Sequence, residues 1–279
     1  MKLTTYIKRA GKYVLYEHRP INVEVKVYQE PTNKSLEDKV ALITGGGSGL
    51  GFYIAKRFLE NGANVIISGR NKNKLEQAIN KLGPKASYIQ YDVQETEKAA
   101  HVIEEALHKF GKIDILVNNA GISLHEQDFT TVKSSDFEQQ VDTNLKGGYF
   151  LSQAYINTLL KTKATGQIIF VSSERGSQCD VLPYGLTKVA INSLVRGLSN
   201  KYYKHGIRIN GIAPGVTATD MTGIDRDKNM FKDSPAGRYF VPEEVAEVVA
   251  FLVSNHAKCI SGEIIHCNAG DHIKGWWGN

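Results

Sequence analysis

Short apolar stretches alternate with longer amphipathic stretches along most of this chain, from Leu36 onward. Seven apolar stretches have the length of a β-strand: KVALITG, ANVIISG, ASYIQYDV, IDILVNNAG, GQIIFVSS, IRINGIAPG and a last one near GEIIHCN. Short connections between strands and helices favour parallel strands with helices packed on both faces of the sheet. The pattern therefore predicts an α/β fold with a doubly wound parallel sheet of about seven strands.

Residues 1–35 differ in character from the rest of the chain. They contain seven lysines and arginines against three glutamates, which accounts for most of the formal net charge of +5. Within them, INVEVKV alternates apolar and polar side chains as a half-buried strand does. We expect a basic N-terminal extension, either a β-hairpin packed on a neighbouring subunit or a loose basic arm. A single domain over residues 36–279 follows it.

Charge and cysteine content argue against several classes of protein. Outside the extension the charges nearly balance, so we expect neither a nucleic acid nor a membrane as partner, although binding through the basic arm is the alternative. No apolar run is long enough for a signal peptide or a bilayer span. The cysteines follow no metal-binding spacing, so we expect no metal, and reduced thiols in a cytoplasmic protein, at Cys179, Cys259 and Cys267.

A glycine-rich segment, TGGGSGLG, joins the first predicted strand to the first predicted helix. Glycines let the backbone approach a pyrophosphate, whose charge is stabilised by the N-terminus of the following helix. Taken alone, such a segment is also compatible with a plain strand-to-helix turn. In an alternating α/β chain it predicts a Rossmann-type dinucleotide site with a phosphate loop formed by Gly45, Gly47, Ser48, Gly49, Leu50 and Gly51.

Two further motifs follow the third and fourth strands, namely Asp92-Val93 and the NNAG that ends at Gly121. Together with TGGGSGLG they stand in the order typical of short-chain dehydrogenases/reductases, and the chain resembles that family from about Leu36 to Gly270. The resemblance implies that Asp92 and Val93 contact the adenine of a nicotinamide dinucleotide. It assigns the cofactor-side wall to Asn119, Ala120 and Gly121, and the carboxamide contacts to Pro214, Gly215, Val216 and Thr219.

The stretch PYGLTK places Tyr184 and Lys188 four residues apart, on one face of a predicted helix. In isolation such a pair is usually a solvated helix surface. An ammonium beside a phenol stabilises the phenolate, which predicts a lowered pKa for Tyr184 and a role in proton transfer. Ser173 can hydrogen-bond the same reacting oxygen. The resemblance implies that Tyr184 and Lys188 also bind the cofactor, with Lys188 at the nicotinamide ribose, and that Asn144 holds a relay water. It gives the catalytic residues as Asn144, Ser173, Tyr184 and Lys188.

The end of the second predicted strand indicates which nicotinamide cofactor is used. An acidic residue there binds the ribose 2′-hydroxyl of NAD, but this chain has SGRNKNK with no acid. Arg70 is suited to pair with the 2′-phosphate of NADP. Ser48 stands where many NADP-dependent relatives have a basic residue, and Arg70 is also compatible with a solvated helix start. We therefore predict NADP as cofactor, with NAD as the alternative.

The resemblance implies an oxidoreductase that interconverts a small-molecule carbonyl compound and its secondary alcohol. It also implies a homo-oligomer, a homotetramer or a dimer, built on the two long helices. Glu174 and Arg175 could either contact a polar substrate or face solvent, and we expect them to face solvent. We expect the substrate pocket to be lined by His125, Cys179, Leu182 and Met221. A hydroxyacyl thioester, a sugar-derived ketone and a steroid remain open as substrates.

Two features depart from the family pattern. Asn268 to Gly270 reads NAG where the family often has Asp-Gly-Gly, and the C-terminal segment carries Trp276 and Trp277. Tryptophans are costly to expose, so we expect both to be buried against the protein or a partner subunit. The alternative to an enzyme is a catalytically silent nucleotide-binding or scaffolding protein of the same fold. The complete set of catalytic residue types argues against that alternative.

Overall fold

A computed structural model describes residues 34–224 and 234–273 of the chain. The predicted β-hairpin at the N-terminus and the predicted burial of Trp276 and Trp277 lie outside the described residues.

The central element is a parallel sheet of seven strands in the order β3-β2-β1-β4-β5-β6-β7. Its inner strands are almost wholly apolar because helices cover both of their faces. The predicted doubly wound sheet is thereby confirmed. The strands are β1 Val40–Thr44, β2 Asn64–Gly69, β3 Ala86–Gln90, β4 Ile115–Asn118, β5 Gly166–Val171, β6 Ile207–Pro214 and β7 Ile264–Cys267.

Alternate residues of each strand supply two separate hydrophobic cores, one on each face of the sheet. In β1, Val40 and Leu42 belong to one core while Ala41 and Ile43 belong to the other. The first core is closed by α3 Ala99–Phe110, α5 Gly147–Thr162 and α6 Pro183–Tyr202. The second is closed by α1 Gly49–Glu60, α2 Lys72–Leu82 and α7 Pro242–Val253.

The sequence pattern predicts one long helix from roughly Val141 to Leu160. In the structure this helix begins earlier and is not a regular α-helix throughout. It begins as α4 at Ser134–Val141, continues as a π-helical segment at Asp142–Lys146, and only then becomes α5. π-Helical turns are rare and occur often at functional sites. Here the segment carries Asn144, one of the predicted catalytic residues.

Strand order reverses at the centre of the sheet, because β1 pairs with β2 on one side and with β4 on the other. In open α/β sheets the crevice at such a switch point, beyond the carboxyl ends of the strands, is where ligands bind. The predicted phosphate loop and the predicted catalytic serine both follow strands at this edge.

Within residues 34–224 and 234–273 no helix has both the length and the apolar character needed to cross a bilayer. The same residues contain no cluster of three or more histidine, cysteine or acidic side chains arranged to hold a metal ion.

Candidate active site

A cavity of about 680 Å³ opens at the carboxyl edge of the sheet, along the switch point. Its lining comes from the segments after β1 to β6. Every predicted catalytic and cofactor-binding residue except Gly51 and Asn144 lines this cavity. The structure therefore brings together residues that are up to 174 positions apart, from Gly45 to Thr219.

The phosphate loop presents an uncapped helix N-terminus to the cavity. Ser48 is the N-cap residue of α1, but its side chain accepts no capping hydrogen bond, and the first turn contains no acidic residue. The first backbone N–H groups of α1 thus have no side-chain acceptor at a position where the helix dipole favours negative charge. This arrangement fits the pyrophosphate of a dinucleotide.

Asn119 clamps the phosphate loop to the turn after β4. Its Nδ2 donates to the carbonyl oxygens of Thr44 at 2.8 Å and Gly45 at 3.3 Å. Thr44 Oγ1 in turn accepts from the backbone N–H groups of Asn119 and Ala120, each at 3.0 Å. Gly51 lies directly beneath this clamp, which explains why it does not line the cavity.

Ser173, Tyr184 and Lys188 meet at the other end of the cavity. Ser173 and Tyr184 share a side-chain hydrogen bond. Lys188 Nζ lies 5.3 Å from the centroid of the Tyr184 ring and donates to the carbonyl oxygen of Val171 at 2.9 Å. Lys188 is 4% exposed, and burial lowers the pKa of its ammonium to about 8.

The predicted direction of the Tyr184 pKa shift is wrong in this structure. Burial raises the pKa of the phenol, while the hydrogen bond with Ser173 and the charge of Arg175 act to lower it. Burial dominates because removing water penalises the charged phenolate. The raised pKa favours the protonated phenol.

Asn144 lies beside Gly121 and does not line the cavity. Its Oδ1 accepts from the N–H of Ile122 at 2.8 Å, and its Nδ2 donates to the Ile122 carbonyl oxygen at 2.9 Å. A Cβ built on Gly121 would lie 3.3 Å from Asn144 Oδ1 and 3.7 Å from Lys188 Nζ. Asn144 thus anchors the segment after β4 next to the lysine, whereas its relay role stays a prediction.

Arg70 and Asp92 lie at the glycine-loop end of the cavity. Arg70 is exposed, and its Nε is 3.9 Å from Asp92 Oδ2, at the long limit of an ion pair. Asp92 Oδ1 accepts from the backbone N–H of Gln94 at 3.1 Å. The guanidinium is therefore only weakly engaged within the protein, which leaves it available to a ligand.

The structure contradicts the expectation that Arg175 simply faces solvent. Its Nε and Nη2 donate to the two carboxylate oxygens of Asp180, at 2.6 and 2.7 Å. Asp180 Oδ1 also accepts from the N–H of Leu182, at the start of α6. This carboxylate stands so close to Gly185 that a side chain at that position would clash with it. The Arg175–Asp180 pair shapes the loop between Ser173 and Tyr184, and sequence reasoning missed it.

Glu174 is likewise not solvent-facing, since it is half-buried, lines the cavity and accepts a hydrogen bond from Asn268.

Of the four predicted pocket residues, His125 and Met221 line the cavity and are joined by a 3.2 Å contact between His125 Nε2 and the Met221 carbonyl oxygen. The prediction is wrong for Cys179, which is exposed, and for Leu182, which is buried at the start of α6.

Fold and site together define a Rossmann-type protein in which a dinucleotide loop and a Ser-Tyr-Lys group share one cavity. The family model described as short chain dehydrogenase matches residues 39–229. FabG of Aquifex aeolicus, a 3-oxoacyl-(acyl-carrier-protein) reductase, is 35% identical over 244 residues, covering 84% of this chain and 98% of the relative. The chain therefore belongs to the short-chain dehydrogenase/reductase family and is an enzyme of that family.

Solved structures agree with this assignment. A 3-ketoacyl-(acyl-carrier-protein) reductase from Brucella melitensis complexed with NADH superposes with a TM-score of 0.79 at 32% identity, covering 85% of this chain and 100% of that chain. A variant of actinorhodin polyketide ketoreductase with NADPH has a TM-score of 0.79 at 26% identity, covering 85% of this chain and 98% of that chain.

Proposed function

We propose that this enzyme interconverts a carbonyl compound and a secondary alcohol with NADP(H), and that Tyr184 is its general acid and base. The proposal depends mainly on where Tyr184 lies. Tyr184, which is hydrogen-bonded to Ser173, lines one end of the cavity, and the glycine loop with the uncapped N-terminus of α1 lines the other end. A proton donor and a site of the size of a dinucleotide thus share one cavity.

The residues at the glycine loop fit a nicotinamide dinucleotide, which when bound supplies or accepts the hydride. The α1 N-terminus would hold the diphosphate, and Val216 and Thr219 would hold the carboxamide. Related structures solved with NADH and with NADPH support this class of cofactor. Arg70 and the lack of an acid at the end of β2 favour the phosphorylated form.

Each residue of the catalytic group has a distinct part in the proposed reaction. The Ser173 hydroxyl hydrogen-bonds the substrate carbonyl oxygen and orients it. The Tyr184 phenol gives its proton to that oxygen during reduction and takes it back during oxidation. Lys188, held by Val171, keeps a positive charge close to the phenol when the phenolate forms. Asn144 holds the backbone of Ile122 beside them.

The raised pKa of Tyr184 predicts how the rates of ketone reduction and of alcohol oxidation depend on pH. Reduction starts from the protonated phenol, so its kcat should stay nearly constant from about pH 6 to about pH 8, while oxidation, which needs the phenolate, should speed up with pH by up to about tenfold per unit. Steady-state rates in both directions, measured with one ketone and its alcohol, test this. An oxidation rate that falls as pH rises would contradict the assignment of Tyr184 as base.

For the cofactor, we expect Arg70→Ala to weaken NADPH binding about 10- to 100-fold, because it removes a charge-assisted contact to the 2′-phosphate. Affinity for NADH, which lacks that phosphate, should change less than about threefold on the same reasoning. Fluorescence titration measures both dissociation constants. Lys81→Ala, which removes an exposed charge at the far end of α2, is the matched control. Equal losses for the two cofactors in Arg70→Ala would remove the support for NADP.

Exposed apolar side chains on α5 and α6 support the proposed homo-oligomer. These helices carry large hydrophobic residues that are about 40% exposed in the single chain: Tyr149, Phe150, Leu160, Leu186 and Val189. Contiguous exposed apolar surface is typical of an interaction site. We infer that these helices form the interface of a homotetramer or dimer, and the molar mass from light scattering tests it.

A further inference from the structure

Glu174 directly follows Ser173, the proposed catalytic serine. One oxygen of its carboxylate accepts a hydrogen bond from the protein and the other does not. Its Oε2 accepts from Asn268 Nδ2 at 3.2 Å, whereas Oε1 has no hydrogen-bond partner among residues 34–224 and 234–273. The side chain is half-buried and lines the cavity. Burial raises the pKa of its carboxyl, while the Asn268 hydrogen bond lowers it. Because Oε1 is not among the buried atoms that lack a partner, it is open to the cavity and can accept a hydrogen bond from water or from a bound ligand.

Asn268 holds the carboxylate in a defined orientation. The Asn268 side chain is 1% exposed, and its Oδ1 accepts from the Gly270 backbone N–H at 3.2 Å and lies 3.0 Å from His272 Nδ1. A backbone N–H can only donate, so the oxygen must face Gly270 and the NH₂ group must face Glu174. An aspartate, as in the Asp-Gly-Gly that the resemblance leads one to expect, could not donate here and would repel Glu174.

The charged groups around Glu174 do not neutralise it by direct pairing. Arg175, the nearest cation along the chain, is engaged in two hydrogen bonds with Asp180. His272 lowers and Asp271 raises the pKa of the Glu174 carboxyl, so their charges act against each other. No ion pair to Glu174 occurs within the described part of the chain. Among the residues that the structure describes, no cation therefore lies within ion-pair distance of the Glu174 carboxylate.

Glu174 is also close to the reacting atoms. Glu174 lines the same cavity as Ser173 and Tyr184. Its Oε2 would lie 3.1 Å from a Cβ at Gly215, in the segment after β6 that is proposed to bind the nicotinamide end of the cofactor. A carbonyl compound bound between Ser173 and Tyr184 would therefore share the cavity with the Glu174 carboxylate.

We propose that Glu174 determines substrate specificity by accepting a hydrogen bond from a hydroxyl group on the carbon beside the substrate carbonyl. The substrate class is then α-hydroxyketones, and not 3-oxoacyl thioesters or simple 3-oxosteroids, which have no hydroxyl on the carbon beside the reacting carbonyl. Reduction consumes one hydride from the nicotinamide and one proton from Tyr184, and it yields a vicinal diol. This inference rests on the proposed carbonyl reduction.

The test compares substrates that differ only at the predicted contact. In 1-hydroxybutan-2-one a hydroxyl stands where pentan-3-one has a methyl group, and 1-methoxybutan-2-one keeps the oxygen but cannot donate. For the wild type with NADPH, we expect kcat/KM to be highest for the hydroxyketone. In Glu174→Leu the ratio of hydroxyketone to pentan-3-one should fall about 10- to 100-fold, as expected for a lost hydrogen bond to a charged group. The two ketones differ in intrinsic carbonyl reactivity, but this difference cancels because the same ratio is compared between the wild type and the variant.

Two variants serve as controls. Glu104→Leu changes an exposed carboxylate on α3 and should keep the wild-type ratio. Glu174→Gln keeps the shape of the side chain while removing its charge, and should lower the ratio by a smaller factor, even where Glu174→Leu fails to fold. An unchanged ratio in both Glu174 variants would overturn the inference while leaving carbonyl reduction intact. A wild type that reduces no ketone with either cofactor would overturn the proposed function, and this inference with it.

Discussion

Tyr184→Phe should lower kcat for ketone reduction about 10³-fold, since general acid catalysis is worth about 10²- to 10⁴-fold. The variant loses only the phenolic oxygen, which is the proton donor hydrogen-bonded to Ser173. The ring should keep its place, because Lys188 and Arg175 lie against it at 5.3 and 5.9 Å from the centroid. Steady-state oxidation of NADPH with the best ketone of a substrate panel provides the measurement.

The same variant should still bind its cofactor, because the glycine loop lies at the other end of the cavity. We therefore expect the dissociation constant for NADPH to stay within about threefold of the wild-type value, since no cofactor hydrogen bond of the loop is removed. Tyr203→Phe, which changes an exposed tyrosine beyond the end of α6, controls for the chemical change itself. Tyr184→Phe with more than a tenth of the wild-type kcat would rule out Tyr184 as the acid.

Gly51→Ala should disrupt cofactor binding although Gly51 does not line the cavity. An added Cβ would clash with Asn119 Nδ2 and would lie 2.6 Å from the Gly45 carbonyl oxygen. Neither group is free to move, because that nitrogen donates to Thr44 and Gly45. Overpacking of this kind costs about 1–3 kcal/mol of folding stability. We expect a lower unfolding temperature and NADPH affinity reduced by about 100-fold, because the displaced backbone is the phosphate loop.

Thermal unfolding and NADPH titration together measure this effect. Gly47→Ala is the matched control for stability, because a Cβ at position 47 would meet only ordinary contacts, 3.5 Å from Leu75 Cδ2. Its unfolding temperature should stay close to that of the wild type. Should Gly51→Ala unfold at the wild-type temperature and bind NADPH normally, the clamp between Asn119 and the loop would not have the importance assigned to it.

Several features could be predicted because they depend on local pattern. Strand-length apolar runs such as VALIT and NVIISG are buried on both faces, and such strands form a parallel sheet only when helices cover both sides. The glycine loop could be predicted because glycines after β1 let the backbone approach a pyrophosphate closely. Tyr184 and Lys188 lie on the same side of a helix because of their four-residue spacing.

The environment of individual polar side chains could not be predicted in this way. Glu174 and Asn268 are 94 residues apart, and nothing in the sequence indicates that β5 and β7 bring them to 3.2 Å. The raised pKa of Tyr184 likewise depends on how completely surrounding residues exclude water. The sequence pattern predicts an ordinary α-helix where the π-helical segment at Asp142–Lys146 lies.

By itself, the sequence determined the order of strands and helices and the position of the glycine loop, because these follow from periodicity and spacing along the chain. The residue types of the proposed catalytic group were indicated by the resemblance to the family. Only the tertiary structure decided which charges are paired, which carboxylate oxygen remains free and in which direction the Tyr184 pKa moves. Those properties depend on burial and on contacts between residues far apart in sequence, which no local pattern encodes.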